Sequence, residues 1–245
     1  MTTGLQVLLA VLGMAVLSMP VYALWGANRG SDPLASDAQG TFVLGHFVRS
    51  WFYWVVGPVV RFSVTAGLGP TFYNLLGVAL GIGAGVAFAL GHVELGGWSV
   101  LLGGVADVLD GRVARSMAVA DRRGAFLDST LDRFAEVGTF VGLAVLFRTS
   151  ALSLTLAATA MGGALLVSYT RARGESQGVV CKLGVMQRAE RLLLVGFGGL
   201  LDPMVSSQWG AGGVGTLLVP LLGLVAVGTV GTAIFRTVWI ARALR

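Results

Sequence analysis

The sequence predicts an all-α, polytopic membrane protein, and three observations carry that expectation. Mean hydropathy is +0.81 and only 12% of residues are charged, about half of the roughly 25% usual in a soluble domain. Apolar runs separated by short polar joints recur along nearly the whole chain of 245 residues. A bilayer accepts such runs as helices, because every backbone N–H and C=O must be satisfied within its own segment. Glycine is abundant, at 37 residues, which suits close helix–helix approach in lipid. The same composition excludes other classes. The single cysteine, Cys181, forbids an intrachain disulfide or a Cys-based metal site. Two histidines, His46 and His92, are too few and too far apart for a zinc centre. The net charge of +5 does not point to nucleic acid, because no basic stripe interleaved with aromatics occurs.

Seven apolar segments are expected, at roughly 4–24, 73–91, 97–115, 125–147, 150–170, 191–208 and 212–235. Each has about 17–24 residues, enough to cross ~30 Å of hydrocarbon at 1.5 Å per residue. Residues 1–26 read as an extra N-terminal transmembrane helix. A cleaved signal peptide is the rival reading, weakened because no Lys or Arg precedes Leu5 and Tyr22-Ala23-Leu24 is a poor cleavage site. Residues 27–40, with Gly30-Ser31-Asp32-Pro33, form a polar linker. Residues 41–68 place Trp51, Phe52, Tyr53 and Trp54 between Arg49 and Arg61, the pattern of an amphipathic helix lying in the interface plane; an eighth short span is the alternative. Residues 69–245 hold the remaining six segments. The basic residues Arg29, Arg49, Arg61, Arg112 to Arg123, Arg171 to Arg191 and Arg236 to Arg245 fall on one side, and Arg148 on the other. The positive-inside rule makes the basic side, with the C-terminus, cytoplasmic.

Four aspartates stand inside this apolar chain, at Asp107, Asp110, Asp128 and Asp132. Each costs about 2.5–3.5 kcal/mol at bilayer depth, so a cationic partner must offset them. Asp107 and Asp110 are three apart on one predicted helix; Asp128 and Asp132 are four apart on the next. The two helices run antiparallel through the joint Ser116 to Arg123, so both carboxylate pairs can converge near the cytoplasmic end. Oxygen ligands on short arms suit one or two Mg²⁺ or Mn²⁺ ions, with phosphate oxygens completing the shell. Gly111, Ala114 and Gly124 leave room for a phosphate-bearing ligand, and Arg115 offers a planar donor fork. The purely structural alternative pairs the aspartates with Arg112, Arg115 and Arg133.

The spacing Asp-x2-Asp-Gly-x2-Ala-Arg-x8-Gly-x3-Asp-x3-Asp is met at every specified position from Asp107 to Asp132. In this the chain resembles the CDP-alcohol phosphotransferases, integral membrane enzymes of phospholipid synthesis, over about residues 41–240. The resemblance implies a six-helix transmembrane catalytic bundle with an interfacial helix, a homodimer and two bound Mg²⁺ or Mn²⁺ ions. It implies Asp107, Asp110 and Asp128 as metal ligands, with Asp132 both ligand and general base. Gly111 and Arg115 would contact the CDP part of a CDP-diacylglycerol donor, and Asp121 is a further nucleotide-contact candidate. The family often carries Pro-Asn-x-x-Thr before its first core span. Here the stretch is Pro70-Thr71-Phe72-Tyr73-Asn74, with the two polar residues exchanged. Pro70, Thr71, Phe72 and Tyr73 are therefore donor-contact candidates, and Thr71 is expected to cap a helix beginning near Phe72.

Acceptor identity must come from elsewhere. Five cationic side chains, Arg171, Arg173, Lys182, Arg188 and Arg191, gather in one cytoplasmic stretch. Arg forks pair well with phosphate, whereas a neutral acceptor has no use for them. Positive-inside charge and attraction to anionic headgroups are the bland alternative. The pieces Ser168-Tyr-x-Arg171-Ala-Arg173 and Arg188-x-Glu190-Arg191 resemble the prokaryotic phosphatidylinositol phosphate synthases. That resemblance implies inositol 1-phosphate as acceptor, bound by Ser168, Arg171, Arg188 and Arg191, with Arg173 and Lys182 secondary. Glycerol 3-phosphate is the same-class rival. A divalent-cation transporter is the rival from another class, disfavoured because no internal repeat is present and the acids cluster toward one face.

Overall fold

The computed structural model describes residues 3–26, 45–209 and 213–245, which fold into eight α-helices. They are α1 (Thr3–Val21), continued by a π-helical turn over Tyr22–Gly26, α2 (Gly45–Thr65), α3 (Pro70–Ala89), α4 (Val93–Ser116), α5 (Arg122–Leu146), α6 (Ala151–Ser176), α7 (Arg188–Trp209) and α8 (Leu218–Ala243). No strand occurs among the described residues. The linker expected at 27–40 lies outside them.

Three helices, α3, α6 and α8, are long and apolar enough to cross a membrane by length and composition. α4, α5 and α7 are as long, at 24, 25 and 22 residues, and are less apolar because the chain's acidic and guanidinium groups sit on them. α1 contributes a shorter apolar stretch, Leu9–Leu24. The apolar runs located these helices, and the ends differ in an intelligible way. α6 runs on through its polar end to Ser176. α8 begins at Leu218, six residues later than expected, because a turn over residues 214–217, with Gly215 at φ +116°, precedes it.

The helices divide between two packing units. One holds the described residues of 1–76 and 105–129, the other 77–104 and those of 130–245. In the first, Val56 and Val60 of α2 pack with Tyr73, Leu109 and Val113. The Tyr73 hydroxyl shares a 2.5 Å hydrogen bond with Ser63. The Arg112 guanidinium lies over the Tyr53 ring, 4.5 Å from its centroid. α1 meets α2 through the Trp51 indole, which donates to Ser18 Oγ at 2.9 Å, and through Tyr22, whose ring contacts Phe47 and Trp54.

Four helices of the two units end in Schellman motifs, with a left-handed residue after the last turn. Gly67, Gly91 and Gly178 fill that position in three of them. In the fourth, at the end of α4, the residue is Ala118, with φ +54°. Its N–H donates to Arg115 O and that of Val119 to Ala114 O. An L-residue with a Cβ is disfavoured there by roughly 1–2 kcal/mol. Ala118→Gly is therefore expected to raise stability by about 0.5–1 kcal/mol after glycine's own entropy cost, read as a higher thermal midpoint in detergent.

In the second unit, Phe88, Phe140, Leu143, Ala160, Leu222 and Val225 belong to the main apolar core. Small residues set its helix crossings. A Cβ built on Gly81 would lie 2.5 Å from that of Ala135, and one on Gly97 would lie 2.6 Å from Gly196 O. Gly85 and Gly142 bring α3 and α5 into backbone contact, and Thr139 Oγ1 donates to Gly81 O at 3.1 Å across the same crossing.

Asp202, in the middle of α7 and fully buried, caps a different helix. Its Oδ1 accepts from Leu217 N at 2.8 Å and Leu218 N at 2.9 Å, and its Oδ2 from Gly215 N at 2.8 Å. α8 has no side-chain cap of its own at Leu217. Asp202→Ala leaves these donors without an acceptor in an apolar interior and is expected to cost about 3 kcal/mol. Asp202→Asn, which keeps one carbonyl oxygen, should cost less when the two thermal midpoints are compared.

Candidate active site

The helical spacing of α4 turns Asp107, Asp110 and Gly111 to one face. Carboxylate oxygens of Asp107, Asp110 and Asp128 lie within 4.8 Å of one another. Asp110 is buried and the other two are half-buried. This donor set fits a hard divalent cation. Ligand oxygens about 2.0–2.6 Å from one ion lie within about 4–5 Å of each other, and carboxylates are the donors Mg²⁺ and Mn²⁺ take.

Asn74 completes the cluster. With its amide oriented by the surrounding acceptors, the nitrogen donates to Asp110 Oδ2 and to Asp128 Oδ1, the latter at 3.2 Å. In the sequence Thr71 and Asn74 stand exchanged relative to the family motif, and only residues 70–73 are donor-contact candidates there. The signal was present: positions 71 and 74 are three apart on one helix face, so an amide at 74 can serve a site that one at 71 would serve.

The remaining donor-contact candidates are placed as follows. α3 begins at Pro70, with Phe72 N donating to Gly69 O at 3.1 Å. Thr71 thus sits inside the first turn, which corrects its expected capping role. Proline fits the first helical position because its missing N–H has no intrahelical partner there. Thr71 and Phe72 are exposed, while Tyr73 is buried in the apolar cluster with its hydroxyl on Ser63. The exposed Arg115 guanidinium folds back toward Gly111, where an added Cβ would meet Nη1 at 3.3 Å. Ala114 is half-buried. Asp121 is the N-cap of α5, its Oδ1 accepting from Gly124 N at 2.6 Å; this capping bond was not anticipated.

Asp132, one turn beyond Asp128 on α5, is not one of the three clustered acids. Its Oδ1 pairs with Arg188 Nη2 at 2.6 Å, and Arg133 Nη2 lies 3.8 Å from its Oδ2. Around it is a network of charges. Glu136 Oε2 accepts from Arg133 Nη1 at 2.8 Å, and Glu136 Oε1 from Arg191 Nε at 2.6 Å. Arg133 Nη1 also donates to Ser168 Oγ at 2.6 Å. Arg191, only 2% exposed, donates through Nη1 to Met186 O at 3.2 Å.

Of the acceptor candidates, the structure brings Ser168, Arg188 and Arg191 into this network. It leaves Arg171 exposed and paired with Glu175 at 2.9 Å, and Arg173 and Lys182 exposed. Glu190, between the two arginines, accepts from Gln187 N at 3.1 Å and so caps α7. Arg236 was not singled out from sequence. It is buried, and donates to Leu183 O at 2.7 Å and Val167 O at 2.9 Å. Among the described residues no carboxylate forms a salt bridge with it. Glu136 and Arg133 were also missed as site groups. Asp128, Asp132 and Glu136 form an i, i+4, i+8 acidic stripe on α5, a signal that runs past the end of the recognised motif.

The chain is similar to known proteins. The family model of the CDP-alcohol phosphatidyltransferases matches residues 69–239. The phosphatidylinositol phosphate synthase of Streptomyces avermitilis is 36% identical over 225 residues, covering 88% of this chain and 89% of the relative. That of Mycobacteroides abscessus is 32% identical, covering 67% of this chain and 77% of the relative. The crystal structure of Mycobacterium tuberculosis phosphatidylinositol phosphate synthase with CDP-DAG bound is similar at a TM-score of 0.64 and 28% identity, over 75% of this chain and 92% of that one. A second structure of that protein, in complex with manganese and citrate, gives 0.65. This chain belongs to the CDP-alcohol phosphatidyltransferase family of membrane transferases.

Proposed function

We propose that the protein transfers a phosphatidyl group from CDP-diacylglycerol to inositol 1-phosphate, forming phosphatidylinositol phosphate and releasing CMP. The observation that carries the acceptor is the arginine network. Arg133, Arg188 and Arg191 pair with the carboxylates of Asp132 and Glu136, and the buried Arg236, hydrogen-bonded to two carbonyls, adds a cation with no carboxylate salt bridge among the described residues, which makes four cations against two anions. The excess of two matches a phosphate monoester, which carries about −1.5 to −2 at neutral pH. A neutral alcohol would leave that charge uncompensated in an apolar interior.

In this reading Asp132 takes the proton of the acceptor hydroxyl, which is a poor nucleophile until a carboxylate within reach removes it. Arg188 orients the acceptor's phosphate, with Ser168, Arg191 and Arg236 around it and Arg171, Arg173 and Lys182 drawing it in. Gly111, Ala114, Gly124 and Arg115, with Pro70, Thr71, Phe72 and Asp121, receive the CDP part of the donor. Asp107, Asp110 and Asp128 would hold Mg²⁺ or Mn²⁺, which would supply charge neutralisation for the diphosphate and for the departing CMP. Asn74 holds two of those carboxylates in register. The site faces the cytoplasm of a plasma membrane, and the protein works as a homodimer.

The cation-transporter alternative is set aside by membership of a transferase family. The test is CMP release by purified protein in detergent, with Mg²⁺ or Mn²⁺, across inositol 1-phosphate, glycerol 3-phosphate and free inositol, the lipid product identified by mass. Turnover with inositol 1-phosphate alone supports the proposal. Preference for glycerol 3-phosphate replaces it with phosphatidylglycerol phosphate synthesis, and equal use of free inositol removes the role given to the arginines.

A further inference from the structure

Glu136 lies outside the aspartate motif, yet both of its oxygens hold arginines of the network described above. Oε2 takes Arg133, which is itself tied to Ser168 of α6; Oε1 takes Arg191 of α7. Arg191 in turn holds the carbonyl of Met186, two residues before α7 begins at Arg188. Arg188 therefore stands between two points that a single carboxylate fixes, and it lines the same crevice as Glu136, with Gly77, Gly103, Thr139 and Leu192. Buried ion pairs add little net stability over apolar packing of equal volume, so bracing alone is a weak account of this one.

We propose that Glu136 is the positioning residue that aims the arginines at the acceptor's phosphate, and so sets selectivity for a phosphorylated alcohol. The inference rests on the acceptor reading above, because it assigns Glu136 a role in that same site. Two physical effects of removing its charge oppose each other. Loss of a nearby anion strengthens the field on an incoming phosphate and would lower the acceptor KM. Loss of the shared carboxylate lets the Arg133 and Arg191 guanidiniums repel and turn away, and with Arg191 goes the hold on the chain at Met186 that places Arg188, which would raise it. The geometry, with both oxygens engaged from different helices, makes orientation the larger effect.

The experiment is Glu136→Gln in the full chain, purified in detergent, with wild type beside it. The acceptor KM for inositol 1-phosphate is expected to rise about 10- to 100-fold, while the KM for CDP-diacylglycerol stays within about twofold. Glu136→Asp keeps the charge but shortens the arm, cannot span both guanidiniums, and is expected to raise the acceptor KM in the same way. An unchanged or lowered acceptor KM in Glu136→Gln, or full function in Glu136→Asp, overturns the proposal. A second readout needs no turnover: millimolar inorganic phosphate should raise the thermal midpoint of wild type and not that of Glu136→Gln. If inositol 1-phosphate supports no CMP release, the acceptor reading fails, and this phosphate shift still decides the positioning role. Equal shifts in both proteins, or none in wild type, count against it.

Discussion

Asparagine in place of Asp132 is expected to lower CMP release by about 10²–10⁴-fold, the usual contribution of a positioned general base. The substitution is nearly isosteric, and its carbonyl can still accept from Arg188, whose Nη2 lies 2.6 Å from Oδ1. The fold and the network should therefore persist. What disappears is a group able to take the acceptor's proton, together with one negative charge beside Arg188. The two losses act on different constants: kcat collapses, while the acceptor KM holds or falls as Arg188 turns more fully to the phosphate. Steady-state CMP release gives both constants, and nucleotide binding in the presence of Mn²⁺ reports that the donor site survives. Turnover equal to wild type would remove Asp132 as the base.

Arg188→Gln should produce the second-largest loss. Truncating one partner of a desolvated, hydrogen-bonded charge pair costs about 3 kcal/mol, on the order of 10²-fold. The loss should appear in kcat/KM for the phosphorylated acceptor and leave the KM for CDP-diacylglycerol near its wild-type value. Lysine is not expected to rescue it. Arg188 presents Nη2 to Asp132 within a planar fork, and an ammonium group cannot reproduce that geometry while also meeting a phosphate. An equal drop for both substrates would mean that Arg188 serves the fold and not the acceptor.

The parts of this molecule that are periodic were legible in its sequence. Apolar length located the helices of the core, and the three- and four-residue spacing of the aspartates put them on two helix faces, with Asp107, Asp110 and Asp128 meeting as carboxylates in one cluster. What stayed hidden depends on groups distant in the chain. Asp202 reads as a stray acid in an apolar helix until the N–H groups of residues 215, 217 and 218 are seen on it. Arg236 reads as positive-inside charge until its burial is known. Thr71 looks like a cap because threonine prefers that position, but the helix starts two residues earlier than expected, at Pro70. Asp121 has the composition of a nucleotide contact and the geometry of a cap. In each case the residue type was informative and its partner was not, since partners here are supplied by other helices.

The meeting of α3 and α5 at Gly85 and Gly142 reverses an ordinary rule of protein engineering. Alanine is the strongest helix former and usually improves a glycine site by about 1 kcal/mol. At these two positions a single methyl would wedge apart two main chains that have no slack, so the mildest change in a mutational scan becomes one of the most damaging. Designers seeking a sturdier variant should leave such hydrogen-only seams alone and look for gains at the turns.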